Sequence, residues 1–172
     1  MNVYQTLTRY KAWADELLFA KVLTLSHEQL IQPQPIIFGN LIRTLNHVYL
    51  MDYVWQCHLL GIPHGLNTRN SEQHPSIEAL FAQQKAMNQW FVDYASTITS
   101  EQLSENVAFE FIGGGQGQMT RSDMILHVVN HATYHRGHVA DMLYHMSVSP
   151  PTTDMPVFLR DVACHERSES RV

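Results

Sequence analysis

Apolar residues recur along this chain at spacings of three and four in four separate stretches, the signature of amphipathic helices. In the first, about 2 to 26, Tyr4, Leu7, Tyr10, Ala14, Leu17, Leu18, Val22 and Leu25 form the stripe. "QPQPIIFG" then interrupts the pattern, because Pro33 and Pro35 cannot continue a helix. The second stretch, about 40 to 60, carries Leu41, Leu45, Val48, Met51, Val54 and Trp55. "GIPHGLNTRN" reads as a loop. Ser76 is placed to cap a third helix, about 77 to 98, with Glu78 favourable in its first turn.

The period changes over 104 to 119, "SENVAFEFIGGGQGQM", where Val107, Phe109 and Phe111 alternate with polar or small neighbours and glycines follow. This predicts a short hairpin or extended excursion. Thr120-Arg121-Ser122-Asp123 resembles a capping box, with Asp in place of Glu, and starts a fourth helix running to about His145. "SVSPPTTDMPV" stops it, and a short last turn is expected around Phe158 to Val162. The expectation is an all-α fold, a four-helix bundle of up-and-down type or a variant of it. Residues 1–162 form the single domain of that expectation, and 163–172 a polar, disordered tail.

Composition narrows the function classes. The chain has 172 residues, 45% hydrophobic and 16% charged, enough for a globular core. Its formal net charge of -5, without a basic patch, argues against nucleic acid as a partner. No apolar run approaches membrane-spanning length, and the N-terminus lacks a signal core, so a cytoplasmic protein is expected. Cys57 and Cys164 form neither a disulfide framework nor a CxxC pair. Cys57 also has no flanking lysine or arginine to favour a thiolate, so it does not read as a nucleophile.

Histidine is the outlier: there are 11, as many as lysine and arginine together. "NHATYHRGH", residues 130 to 138, holds His131, His135 and His138, and His127 precedes it by one turn. On a helix, residues four apart are offset by only about 40° and rise about 6 Å, so His131 and His135 can reach one ion. A helical HExxH protease motif is excluded, because position 132 is alanine. Such a row also reads as a hydrogen-bonded core element or a polar face. A catalytic metal needs at least one further ligand, and bundle sites draw it from a facing helix. His47, flanked by Leu45, Val48 and Met51, is the best placed, although taken alone it reads better as a satisfied core or boundary histidine. His58, His64 and His74 lie in loop-like sequence and are expected in solvent, and His27, His145 and His165 are peripheral.

The segments "YKAWADELLFAKV", "LNHVYLMDYVW", "HVVNHATYHRGHVADML" and "PPTTDMPVFL" resemble the DinB/YfiT-like family of damage-inducible bacterial four-helix bundles, over most of the chain. The resemblance implies one divalent metal held by His47, His131 and His135. It implies that His127 is not a ligand, and it sets His138 at a position where relatives often carry glutamine. Around the ligands, His127, Asn130 and Tyr134, with Asn46 and Asp52, are candidates to orient the rings. Imidazole suits zinc, nickel and iron(II) alike. The wider superfamily resembled includes thiol-dependent S-transferases and isomerases, so the expectation is a metal-dependent enzyme, a thiol transferase or a hydrolase, in stress or detoxification chemistry. Its partner would be a small-molecule thiol or electrophile, and the chain would pair as a homodimer. The alternative is a non-catalytic metal-binding stress-response protein or dimeric binding protein.

Overall fold

A computed structural model describes residues 2–163. Helices α1 (Val3–Val22), α3 (Leu41–Leu60), α4 (Ile77–Thr97) and α6 (Arg121–His145) make the bundle. Short helices α2 (His27–Ile31), α5 (Ser100–Leu103) and α7 (Met155–Phe158) decorate the connections, and a π turn, Leu159–Ala163, follows α7. Strands β1 (Asn106–Glu110) and β2 (Gln116–Thr120) form an antiparallel hairpin between α4 and α6. The expected all-α bundle with its hairpin is what forms. Among the described residues no helix is long and apolar enough to cross a membrane.

Local chemistry sets the boundaries. Asn2, Asn40, Ser76 and Thr120 each accept a hydrogen bond from a first-turn amide, satisfying a donor that the helix itself cannot. The first helix ends at Val22 rather than near 26, because Ser26 caps a new one. Its hydroxyl accepts from the Gln29 amide at 3.3 Å, and the Gln29 side chain accepts from the Ser26 amide at 2.9 Å. Thr99 does the same for α5, a turn that periodicity does not reveal. The last turn begins three residues earlier than expected, at Met155, since Pro156 suits a helix start. The expected tail begins within the π turn at Ala163, and its remainder lies outside the described residues.

Helix α1 packs on α4 and α6, and α3 packs on the same two. In cross-section α1 and α3 are therefore diagonal partners, so the chain crosses the bundle between its first two long helices. This is the variant rather than the simple neighbour-to-neighbour arrangement. The α3–α6 contact that results brings His47 opposite His131 and His135.

Two apolar clusters fill the bundle. One gathers Leu18, Val22, Leu41, Leu45, Leu80 and Val139, and the other Trp55, Leu59, Met87, Phe91, Met124 and Val128. On α3, α4 and α6 a buried polar band lies between them in sequence: Asp52, then Gln84, then His135 and Arg136, with Asn88 one turn beyond Gln84. Helix α1 contributes Lys11 and Asp15, so its buried face is broader than the apolar stripe predicts. Lys11, 1% exposed, donates from Nζ to Asp15 Oδ2 at 2.9 Å, to Asp52 Oδ2 at 2.7 Å, and to Asn88 Oδ1. Gln84 Nε2 donates to Asp52 Oδ2 at 2.8 Å, and Arg136 approaches Asp15 at 3.7 Å. Burial opposes the lysine's charge, but Asp15 and Asp52 outweigh it, and its pKa lies above the ordinary value.

Removing one member of such a cluster strands the others without water. Lys11→Met is expected to destabilise the fold by about 3–5 kcal/mol, whereas breaking the exposed Lys85–Glu16 pair with Lys85→Ala costs no more than about 1 kcal/mol. Urea unfolding of the two variants checks the contrast.

Candidate metal centre

His47 sits in the second turn of α3, whose start is set by the Asn40 cap. The loop after α3 folds back onto it. Asn46 Nδ2 donates to Asn70 Oδ1 at 2.6 Å and to Ser71 Oγ at 2.9 Å, and Asn70 Nδ2 donates to the Arg43 carbonyl at 2.8 Å. That loop presents the Arg69 carbonyl 2.7 Å from His47 Nδ1. A carbonyl only accepts, so Nδ1 carries the hydrogen and Nε2 is a bare lone pair. Phe38 stacks on the same ring, with centroids 4.1 Å apart.

Across the α3–α6 interface, His131 Nε2 lies 3.2 Å from His47 Nε2. His135 joins them, with ring centroids 4.8 Å from His47 and 4.5 Å from His131. One ring nitrogen from each of the three lies within 4.8 Å of the others. Among the described residues no cysteine, carboxylate or fourth histidine belongs to this group.

Burial holds all three rings neutral. It pushes the pKa of His131 down to about 3 and that of His135 to about 4, helped by the neighbouring imidazoles. His47 is also lowered by burial, against the Arg69 hydrogen bond, which raises it. His131 Nδ1 is buried without a hydrogen-bond partner among the described residues. With the His47 hydrogen on Nδ1, the facing Nε2 atoms of His47 and His131 have at most one hydrogen between them, so the group offers lone pairs that a cation can accept. An ion about 2.0–2.1 Å from each imidazole nitrogen brings the nitrogens about 3–4 Å apart, so closing this group on one takes shifts of about 1 Å or less. The residues fit a divalent metal.

His47 and His131 also form part of the wall of a cavity of about 260 Å³. Met51, Val54, Trp55, Phe109, Phe111 and Ile112 supply most of its apolar lining. The hairpin forms one wall of it. Phe109 pairs across the strands with Gly117, and its ring lies where a side chain at 117 would stand: a Cβ there would be 2.5 Å from Phe109 Cζ. The ring is thereby turned onto Trp55, with centroids 5.0 Å apart.

The other expected residues divide. His127 lines the cavity against Trp55, at 4.6 Å between centroids, outside the ligand group. Tyr134 is 63% exposed and meets His135 edge-on at 5.0 Å, and Asn130 is exposed. Asn46 anchors the loop that orients His47 rather than touching a ring, and Asp52 is taken up by Lys11 and Gln84. His58 and His64 are half-buried, not in solvent: His58 lines the cavity, and the two rings meet at 5.4 Å. His74 is half-buried too, with Nδ1 3.2 Å from the Pro75 carbonyl. His27 and His145 are exposed, and His165 lies outside the described residues. Sequence reasoning missed the Arg69 carbonyl, which has no side-chain signal, and the aromatic wall of the hairpin, where only the alternation of Val107, Phe109 and Phe111 pointed to it.

A histidine-rich helix facing one histidine on its neighbour makes this a four-helix-bundle protein with a candidate metal site. Comparison with known proteins gives the family. The family model described as "DinB family" matches residues 1–168, and the chain belongs to that family. It is similar to Protein DinB of Bacillus subtilis (strain 168), with 26% identity over 162 residues, covering 89% of this chain and 91% of the relative. Its fold is similar to the crystal structure of a DinB-like protein from Bacillus cereus ATCC 10987, with a TM-score of 0.65 and 18% identity, covering 84% of this chain and 91% of that one.

Gly117→Ala is expected to cost about 1–3 kcal/mol through forced displacement of the Phe109 ring. A denaturation curve gives the cost, and a crystal structure of the variant gives the displacement.

Proposed function

We propose that the chain is a divalent-metal-dependent enzyme whose ion, zinc, nickel or iron(II), is held by His47, His131 and His135, and that a small-molecule thiol is its co-substrate. One observation carries this reading: the three-histidine group has no fourth protein ligand among the described residues and opens onto an apolar cavity. A closed site with four protein ligands is the mark of a structural metal, and a group of three beside a cavity is the mark of a catalytic one. That supports the enzyme over a non-catalytic metal-binding stress protein.

A cation ligated by neutral imidazoles keeps its full charge and lowers the pKa of a thiol or water that joins it. The chain's own residues supply the rest. Arg69 orients His47 through its carbonyl. Trp55, Phe109 and Met51 exclude water and favour an apolar electrophile. Cys57, 1% exposed and absent from the cavity wall, leaves the nucleophile to come from solution, which supports a free thiol. Thiol transfer in the cytoplasm during stress or detoxification, by a homodimer, completes the proposal.

Elemental analysis of protein purified without a histidine tag tests it. About one equivalent of metal is expected in the parent, in line with a single group of three ligands. His47→Ala, His131→Ala and His135→Ala should each lose it while keeping the helical circular dichroism. The loaded parent should accelerate conjugation of an apolar electrophile with a low-molecular-weight thiol. A parent that takes up none of the three metals sinks the reading. A loaded parent without thiol-dependent turnover leaves the non-catalytic alternative.

A further inference from the structure

His138 is half-buried, three residues beyond His135 on α6, and stands outside the ligand group. Its Nδ1 nevertheless lies 3.2 Å from Nδ1 of His135. Two ring nitrogens so close share one hydrogen: one donates and the other offers a lone pair. The two arrangements differ in their consequence for an ion. If His138 donates, Nδ1 of His135 accepts, and the neutral His135 ring carries its hydrogen on Nε2. Both nitrogens of His135 are then occupied. If His135 donates from Nδ1, its Nε2 is a bare lone pair, and only then has it a nitrogen free to bind.

We propose that His138 is a positioning residue of the metal centre: its Nδ1 accepts the Nδ1 hydrogen of His135 and so holds that ring in the tautomer and orientation that offer Nε2 to a divalent cation. This rests on the three-histidine reading above. His47 shows the same device, with the Arg69 carbonyl as acceptor of its Nδ1 hydrogen. A main-chain carbonyl cannot be removed by substitution, whereas His138 can. The Tyr134 ring meets His138 edge-on at 4.5 Å and His135 at 5.0 Å, so all three rings restrain one another. In this arrangement neutral His138 carries its own hydrogen on Nε2.

An acceptor role makes a distinctive demand on substitutions. The carbonyl oxygen of a glutamine side chain can accept the same hydrogen, whereas leucine fills similar space and accepts nothing. Zinc affinity is measured by competition with a chromophoric chelator, beside the thermal midpoint of each metal-free protein. His138→Leu is expected to weaken zinc binding about 10–100-fold, with His138→Gln staying within about threefold of the parent. Independently of any variant, long-range proton–nitrogen spectra of the zinc-loaded parent should place the hydrogen of His135 on Nδ1 and that of His138 on Nε2. These spectra decide the matter if His138→Leu does not fold. The proposal is overturned if His138→Leu binds as the parent does, if His138→Gln loses as much as His138→Leu, or if the His135 hydrogen is found on Nε2. A parent that binds no zinc overturns the three-histidine reading and this inference together. A parent that binds beside equally competent variants overturns this inference alone.

Discussion

The arrangement of the bundle depends on one buried ammonium group. Lys11 of α1 reaches Asp52 of α3 and Asn88 of α4, and Asp15, its neighbour one turn along, faces Arg136 of α6. Four helices thus converge on one charge cluster. Buried ion pairs contribute little net stability, because desolvation offsets most of the attraction. They do penalise misalignment severely: sliding any helix by one turn would leave a charge buried without a partner. Leucine and phenylalanine packing on either side tolerates small shifts, whereas this cluster does not.

That register has a chemical consequence. Arg136 follows His135 directly, and Asp52 lies five residues beyond His47. Fixing Asp52 and Arg136 relative to Lys11 and Asp15 therefore also fixes the heights at which α3 and α6 present their histidines. The pairing of His47 Nε2 with His131 Nε2 follows from the same alignment. Three histidines placed on rigid helices, His47 oriented by a main-chain carbonyl, would need little reorganisation to accept an ion. The hairpin then adds what helices cannot, an aromatic wall at the open end of the site, with a glycine cut away to seat Phe109.

Much of this was legible along the chain. The four long helices, the hairpin and the capping box at Thr120 follow from local periodicity and local hydrogen-bond chemistry, which act within a few residues. His131 and His135 share a face because helical geometry alone puts them there. Asp52 and Asn46 illustrate the opposite case. Both were sensible candidates to orient a histidine, since each lies close to His47 in sequence. Their partners, Lys11 for one and the Asn70–Ser71 loop for the other, are 41, 24 and 25 residues away and invisible to any local pattern. His58 escaped for a related reason: a position at a helix end near glycine and proline reads as solvent until a distant hairpin covers it.

By itself the sequence determined the set of elements, the apolar stripes and the concentration of imidazoles on one helix, because each is a property of residues within one or two turns of each other. The sequence offered His47 of α3 as the best-placed partner, and only the tertiary structure, by packing α3 on α6, brought its Nε2 within 3.2 Å of that of His131. Tertiary structure also decided that Lys11 is buried. Periodicity counts a lysine as polar wherever it stands, and only the arrival of two carboxylates and an amide from other turns and helices can hold its charge away from water.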